Sequence, residues 1–190
     1  MSTSHMSDLD QLKEILKKNS VRYGEFTLAS GQKSNVYVDA RLTTLRAEAM
    51  PLIGRAFLAK FRERGWHPQA VGGLTMGADP IVTAIARESL DLGEPINAFL
   101  VRKESKQHGC GGYVVGVDET EGLDVVIVDD VFTTGGSTIL AIERAREAGM
   151  NVLGAVCLVD REQGGRKNIE AIGCAFDRVL VMADLLQKQD

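Results

Sequence analysis

No apolar run in the chain approaches the roughly 18 residues of a membrane-spanning helix. The longest, Val152 to Val159, reads as a buried strand. Positive charge is not in excess either, since 22 Lys and Arg stand against 26 Asp and Glu for a formal net charge of −4. A nucleic-acid surface is normally marked by clustered basic residues, so bulk charge gives no support to such a partner. Cysteine is scarce. Cys110, Cys157 and Cys174 are odd in number and too far apart for Cys-x-x-Cys spacing, which speaks against a metal or redox pair and suits a reducing cytoplasm. The N-terminal Met-Ser-Thr-Ser-His-Met-Ser lacks the basic flank and apolar centre of a secretory signal. Its second Met marks residues 1–6 as a tag or leader ahead of the natural start.

What is present is an ordinary globular composition, 44% hydrophobic and 25% charged over 190 residues, of a length that suits one domain spanning 7–190. Leu9, Leu12, Ile15 and Leu16 form one stripe of an amphipathic helix from Asp8 to Asn19, with Asp8 as its cap. A second helix is expected from about Arg46 to Arg64, closed by Gly65. Strand and helix then alternate: Ala70–Leu74, Pro80–Leu90, Ile96–Val101, a short extended piece at Tyr113–Val117, Leu123–Val128, Ser137–Ala148 and Val152–Val159. The β-branched run within Leu123–Val128 is typical of a strand buried on both faces. Such alternation predicts βαβ units around a parallel sheet, with ligands at the carboxyl ends of the strands.

The densest chemistry lies at Val125-Val-Ile-Val-Asp-Asp-Val-Phe-Thr-Thr-Gly-Gly-Ser-Thr138. Thr133, Thr134, Gly135, Gly136, Ser137 and Thr138 offer hydroxyls and backbone amides at a helix start, and the glycines let a phosphate approach closely. Asp129 and Asp130 would repel a phosphate but suit sugar hydroxyls or a phosphate-bound Mg²⁺. Together they read as a site for ribose 5-phosphate. Neither a Gly-x-x-x-x-Gly-Lys-Ser/Thr loop nor a Gly-x-Gly-x-x-Gly turn joining a strand to a helix is present. The segment resembles the phosphoribosyl pyrophosphate signature of type I phosphoribosyltransferases.

A second cluster, Arg102-Lys-Glu-Ser-Lys-Gln-His-Gly109, follows the strand ending at Val101 and precedes Cys110-Gly-Gly112. Basic residues hinged by glycines suit a lid that closes over a polyanion. Arg102, Lys103, Lys106 and His108 match the Arg-Lys-x-x-Lys-x-His-Gly loop of the orotate phosphoribosyltransferases, which the chain resembles over roughly residues 9 to 185. In that family the loop of one subunit covers its neighbour's active site. The resemblance thus implies a homodimer with active sites shared across the interface.

Two further segments are similar to the same family. Gly72-Gly-Leu-Thr-Met-Gly-Ala-Asp-Pro80 lies at the position of its pyrophosphate loop, with Met76 where many members carry lysine. Phe26 to Asp39 resembles its hood, with Lys33 and Tyr37 on matching positions and Ala29 where enterobacterial-type relatives have an active-site lysine. Arg161 matches the arginine that contacts orotate.

The resemblance implies an α/β, parallel-sheet type I phosphoribosyltransferase fold with helices on both faces and a small N-terminal hood, built from about residues 7–45 and the C-terminal segment. It also implies a cytoplasmic, Mg²⁺-dependent pentosyltransferase joining phosphoribosyl pyrophosphate to orotate in pyrimidine biosynthesis, the Mg²⁺ held mainly by substrate. Arg102, Lys103, Lys106, His108, Asp129, Asp130 and Thr133 to Thr138 would bind the donor. Lys33, Tyr37, Thr134 and Arg161 would bind orotate, and Lys103, Lys106, His108 and Asp130 would be catalytic. A transferase for another base, or a non-enzymatic sensor of the donor, is the alternative; the intact basic loop favours the enzyme.

Overall fold

The structure is a computed structural model that describes residues 6–27, 33–106 and 112–186, with the Lys106 side chain outside the description. Ala29, His108 and Cys110 therefore lie outside the described residues.

Helix α1, Asp8–Ser20, is capped by Ser7 rather than Asp8: the Ser7 hydroxyl accepts the Asp10 amide at 3.1 Å. Asp8 instead pairs with Arg55. The apolar stripe does face inward, with Leu12 and Leu16 fully buried. Strands β1, Val21–Thr27, and β2, Lys33–Val38, form an antiparallel ribbon, with Val21 opposite Val38. A short helix α2, Arg41–Thr44, follows. The buried hydroxyls of Ser20 and Thr43, 2.7 Å apart, tie α2 to the end of α1.

Helix α3 spans Met50–Arg64, starting four residues later than Arg46. Pro51 explains the difference: its missing N–H is harmless only in the first turn, so the helix starts beside it. Gly65 ends α3 at φ 65°, the left-handed conformation glycine adopts without a Cβ clash. Then come β3 (Ala70–Leu74), α4 (Asp79–Asp91), β4 (Asn97–Lys106), β5 (Gly112–Val115), β6 (Asp124–Phe132), α5 (Gly136–Glu147), β7 (Asn151–Asp160), α6 (Gly165–Ala171), β8 (Phe176–Val181) and α7 (Met182–Leu185).

Six strands make the main sheet in the order β5-β4-β3-β6-β7-β8, parallel except for β5, which runs antiparallel to β4. Alternation along β6 divides the core. Val126 and Val128 pack with Ile53 and Phe57 of α3 and Ile81 and Ile85 of α4. Val125 and Ile127 pack on the other face with Ala141, Ile142 and Ala145 of α5 and Ile169 of α6. Both faces of β6 are thus covered, which is why its sequence is a continuous β-branched run. Cys157 and Cys174 are small buried core residues whose thiols burial pushes up.

Two close approaches fix the packing, one between neighbouring strands β3 and β4 and one between the sheet and the segment after α3. A Cβ on Gly72 would lie 2.2 Å from the Phe99 ring, and one on Gly154 would lie 2.3 Å from the Trp66 indole. Trp66 therefore seats directly on the backbone of β7, with the Arg64 guanidinium 5.1 Å from its ring centre.

Candidate active site

Strand order creates the site. From β3 the chain crosses through α4 to β4 on one side, and after β5 it returns to β6 on the other. This reversal leaves a crevice outside the carboxyl ends of β3 and β6, where ligands bind in open α/β sheets. A cavity of about 580 Å³ opens there. Its walls are Tyr37–Arg41 from the hood, Leu74–Gly77 after β3, Lys103 on β4, and Asp129–Ser137 from β6 into α5.

Both acids belong to β6 itself, which runs past Val128 to Phe132. Asp129 is only 7% exposed. Its Oδ1 accepts the Asp130 amide at 3.0 Å and its Oδ2 accepts the Thr138 hydroxyl at 2.7 Å. Burial, reinforced by the neighbouring Asp130 charge, pushes its carboxyl up to about 7. Asp130 accepts the Val131 amide at 2.7 Å. Across the crevice, Gly77 presses against this pair, since a Cβ there would lie 2.7 Å from the Asp130 carboxylate.

The loop between β6 and α5 is shaped by its glycines and by α6. Gly135 adopts φ 85°, and a Cβ on it would meet the Phe132 ring at 2.9 Å. Gly136 opens α5, and nothing lies within 4 Å of its would-be Cβ. Two carbonyls of the loop are turned toward α6: the Gly165 amide donates to Thr133 O at 3.2 Å, and Asn168 Nδ2 donates to Thr134 O at 2.9 Å. The start of α5 thus offers backbone amides and the positive end of a helix dipole to an anion.

Of the residues singled out from sequence, the cavity brings together Tyr37, Lys103, Asp129, Asp130, Thr133, Thr134, Gly135, Gly136 and Ser137. Thr138 lies beneath it, 2% exposed and engaged with Asp129. Arg102 and Lys103 sit on a strand, not in a loop, because β4 continues to Lys106 through pairing with β5. Successive strand residues point to opposite faces, so Lys103 joins the cavity of its own chain and Arg102 does not. This differs from the cross-subunit placement expected for Lys103. Lys33 is exposed at the start of β2 and is not among the cavity walls. Arg161 also stands apart from them, in the turn after β7, where its amide donates to Phe132 O at 2.8 Å. That turn is fixed by buried Asp160, which accepts Arg178 Nη1 at 2.9 Å and the Glu162 amide at 2.8 Å.

Asp39, Arg41 and Thr75 line the cavity without having been singled out. The signal available for Arg41 was its place two residues after Asp39, at the end of the hood segment. Arg41 Nε and Nη2 donate to the two Asp39 oxygens at 2.9 and 3.0 Å, and this pairing holds the Asp39 carboxyl below the usual carboxylate range.

A paired-acid strand end feeding an anion cup at a sheet switch point defines a transferase of phosphorylated ribose. The Phosphoribosyl transferase domain model matches residues 43–174. The chain belongs to the orotate phosphoribosyltransferase family and is a pentosyltransferase of pyrimidine biosynthesis. It is 39% identical over 188 residues to the orotate phosphoribosyltransferase of Synechocystis sp., covering 98% of this chain and 93% of that one. It is 43% identical over 175 residues to that of Corynebacterium glutamicum, covering 92% of each. Among solved structures, the Mycobacterium tuberculosis orotate phosphoribosyltransferase in complex with Fe(III) dicitrate superposes with a TM-score of 0.85 at 39% identity, covering 95% of this chain and all of that one. The same enzyme in complex with 5-phospho-α-D-ribosyl 1-diphosphate superposes with a TM-score of 0.79 at 37% identity, covering 94% and 99%.

Proposed function

We propose that the cavity transfers ribose 5-phosphate from phosphoribosyl pyrophosphate to orotate with Mg²⁺, giving orotidine 5′-monophosphate and pyrophosphate. The observation that carries this reading is the junction of Asp129 and Asp130 with the Thr133–Ser137 cup inside one cavity. The cup holds the 5-phosphate by backbone amides and hydroxyls, and the acids accept the ribose hydroxyls.

The donor set fits a magnesium ion that arrives on the substrate. Among the described residues no group of three or more His, Cys, Asp or Glu could hold a metal unaided, whereas Mg²⁺ is commonly bound by one or two carboxylates plus substrate phosphates. Asp130 together with diphosphate oxygens would hold it. When bound, it neutralises charge growing on the leaving group.

Pyrophosphate departure leaves an electron-poor ribose C1, so the protein's task is to stabilise the leaving anion rather than to supply a nucleophile. Lys103 faces that anion from β4. Lys106 and His108 follow it in sequence, and an imidazole with a reference pKa of about 6.5 can give a proton to pyrophosphate near neutrality. Orotate N1 attacks the opposite face of C1, its ring beside Tyr37 and met by Arg161 from the turn after β7, outside the described cavity walls. A homodimer in which Lys106 and His108 close over the neighbouring subunit completes this reading. A cytoplasmic setting agrees with the absence, among the described residues, of any helix long and apolar enough to cross a membrane.

The test is a panel of bases at fixed donor and Mg²⁺, followed by pyrophosphate release. Orotate is expected to outrun uracil, adenine, guanine and hypoxanthine, because a site built for an anionic, hydrogen-bonding substrate leaves its polar groups unpaired with the others. Comparable turnover of a purine would overturn the assignment.

A further inference from the structure

The described cavity walls hold three acids, Asp39, Asp129 and Asp130, against two cations, Arg41 and Lys103. A diphosphate cannot leave into such a site without cations to meet it. The loop after β3 supplies none, since Met76, 68% exposed, occupies its tip. Lys103 approaches from β4. Among the described hood residues that line the cavity, the cation is Arg41.

We propose that Arg41 binds the diphosphate of the donor and the pyrophosphate product, with Asp39 as the residue that positions it. The inference rests on the phosphoribosyl pyrophosphate reading above.

Three observations support it. First, the guanidinium is aimed. Asp39 takes Nε and Nη2 in a two-pronged pair and also accepts the Arg41 backbone amide at 3.1 Å. The remaining N–H groups of the planar fork stay available for a second oxyanion, the geometry for which arginine is suited. Second, the pair serves no core: the Arg41 side chain is 45% exposed, and an ion pair at that exposure contributes little stability. Third, Arg41 shares the cavity wall with Asp130, whose carboxylate charge its guanidinium feels as well as that of Asp39. On the phosphoribosyl pyrophosphate reading this puts the cation beside the acid assigned to the sugar, where the leaving group departs.

The decisive measurement compares wild type with Arg41→Ala, Arg41→Lys and Asp39→Asn. Calorimetric binding of Mg²⁺ plus inorganic pyrophosphate is read beside the KM values for both substrates. Wild type must first release pyrophosphate with orotate; if it does not, the functional reading itself falls, whatever Arg41 does. Given an active wild type, Arg41→Ala is expected to weaken pyrophosphate binding and raise the donor KM by about tenfold or more, as for loss of a charge-assisted contact. The orotate KM should be left within about twofold, well short of a lost hydrogen bond. Arg41→Lys should recover part of the loss, because it restores charge without the fork. Asp39→Asn should fall between, because it keeps the cation but loosens its aim. Unchanged pyrophosphate affinity, a loss confined to orotate, or equal losses for both substrates would each overturn the proposal. Should Arg41→Ala fail to fold, Arg41→Gln, which keeps the aliphatic stem, is held to the same outcomes.

Discussion

Thr138 donates its hydroxyl to Asp129 across the entire anion loop, joining the end of β6 to the first turn of α5 through a buried contact of 2.7 Å. The bond favours the charged carboxylate against the burial that opposes it. Thr138→Val removes the donor while keeping the volume, so Asp129 should become harder to ionise. The acidic limb of the kcat/KM pH profile is then expected to move to higher pH, with Thr138→Ser restoring it. An unmoved profile would separate Asp129 ionisation from turnover.

The same carboxyl makes an opposite prediction for stability. Its pKa lies near 7 in the folded chain, against 3.8 for an unperturbed aspartate, so between those values the folded state binds the proton more tightly. Stability from protonated Asp129 is full below the lower value and is lost as pH rises through the upper one. Asp129→Asn, neutral throughout, should therefore gain on wild type as pH rises from about 4 to about 8 when unliganded protein is melted. Activity should fall in the same variant. A stability difference that is flat with pH would contradict the buried-charge account.

Support of the loop by α6 can be probed without touching a donor-facing group. Asn168→Ala removes the bond to Thr134 O and is expected to raise the donor KM about fivefold, in line with roughly 1 kcal/mol for a neutral hydrogen bond. Gly165→Ala should do more, because its Cβ would come within 2.5 Å of both the Phe132 ring and Thr133 O. Initial rates over a donor titration at saturating orotate decide this. Wild-type kinetics in both variants would mean that α6 does not shape the cup.

Mixed subunits discriminate between the two lysines for the proposed homodimer. Lys103 lines the cavity of its own chain, so Lys103→Ala mixed with Asp130→Asn should stay inactive after subunit exchange. Lys106→Ala mixed with Asp130→Asn should regain one complete site per mixed dimer if the loop crosses. Recovery in the first mixture would place Lys103 on the neighbour's site.

Helix and strand cores were legible wherever burial imposed a period: α4, α5 and β7 begin and end within one residue of the sequence reading. The acids and cup were legible because a strand, two carboxylates and a glycine turn occupy consecutive positions. Arg41 was not, since it sits on a four-residue helix without a periodic pattern and reaches the cavity only because the hood ribbon carries it there. The strand character of Arg102 and Lys103 comes from antiparallel pairing with β5; the extended piece at Tyr113–Val117 was legible, but its pairing back onto β4 was not. Helix α6 and strand β8 were missed because each is short and its apolar pattern is interrupted by charge, Arg166, Lys167 and Glu170 in the helix and Asp177 and Arg178 in the strand. With α6 went Asn168, whose partner lies 34 positions away.

The contact of Trp66 with Gly154 gives the molecule a built-in optical reporter. Trp66 is the single tryptophan of the chain, and it rests on β7, outside the walls of the cavity. Its emission should follow separation of α3 from the sheet, an event of global unfolding, while remaining nearly silent to pyrophosphate. A new tryptophan at exposed Tyr37 would supply the complementary colour, so that occupancy and unfolding could be followed in the same cuvette.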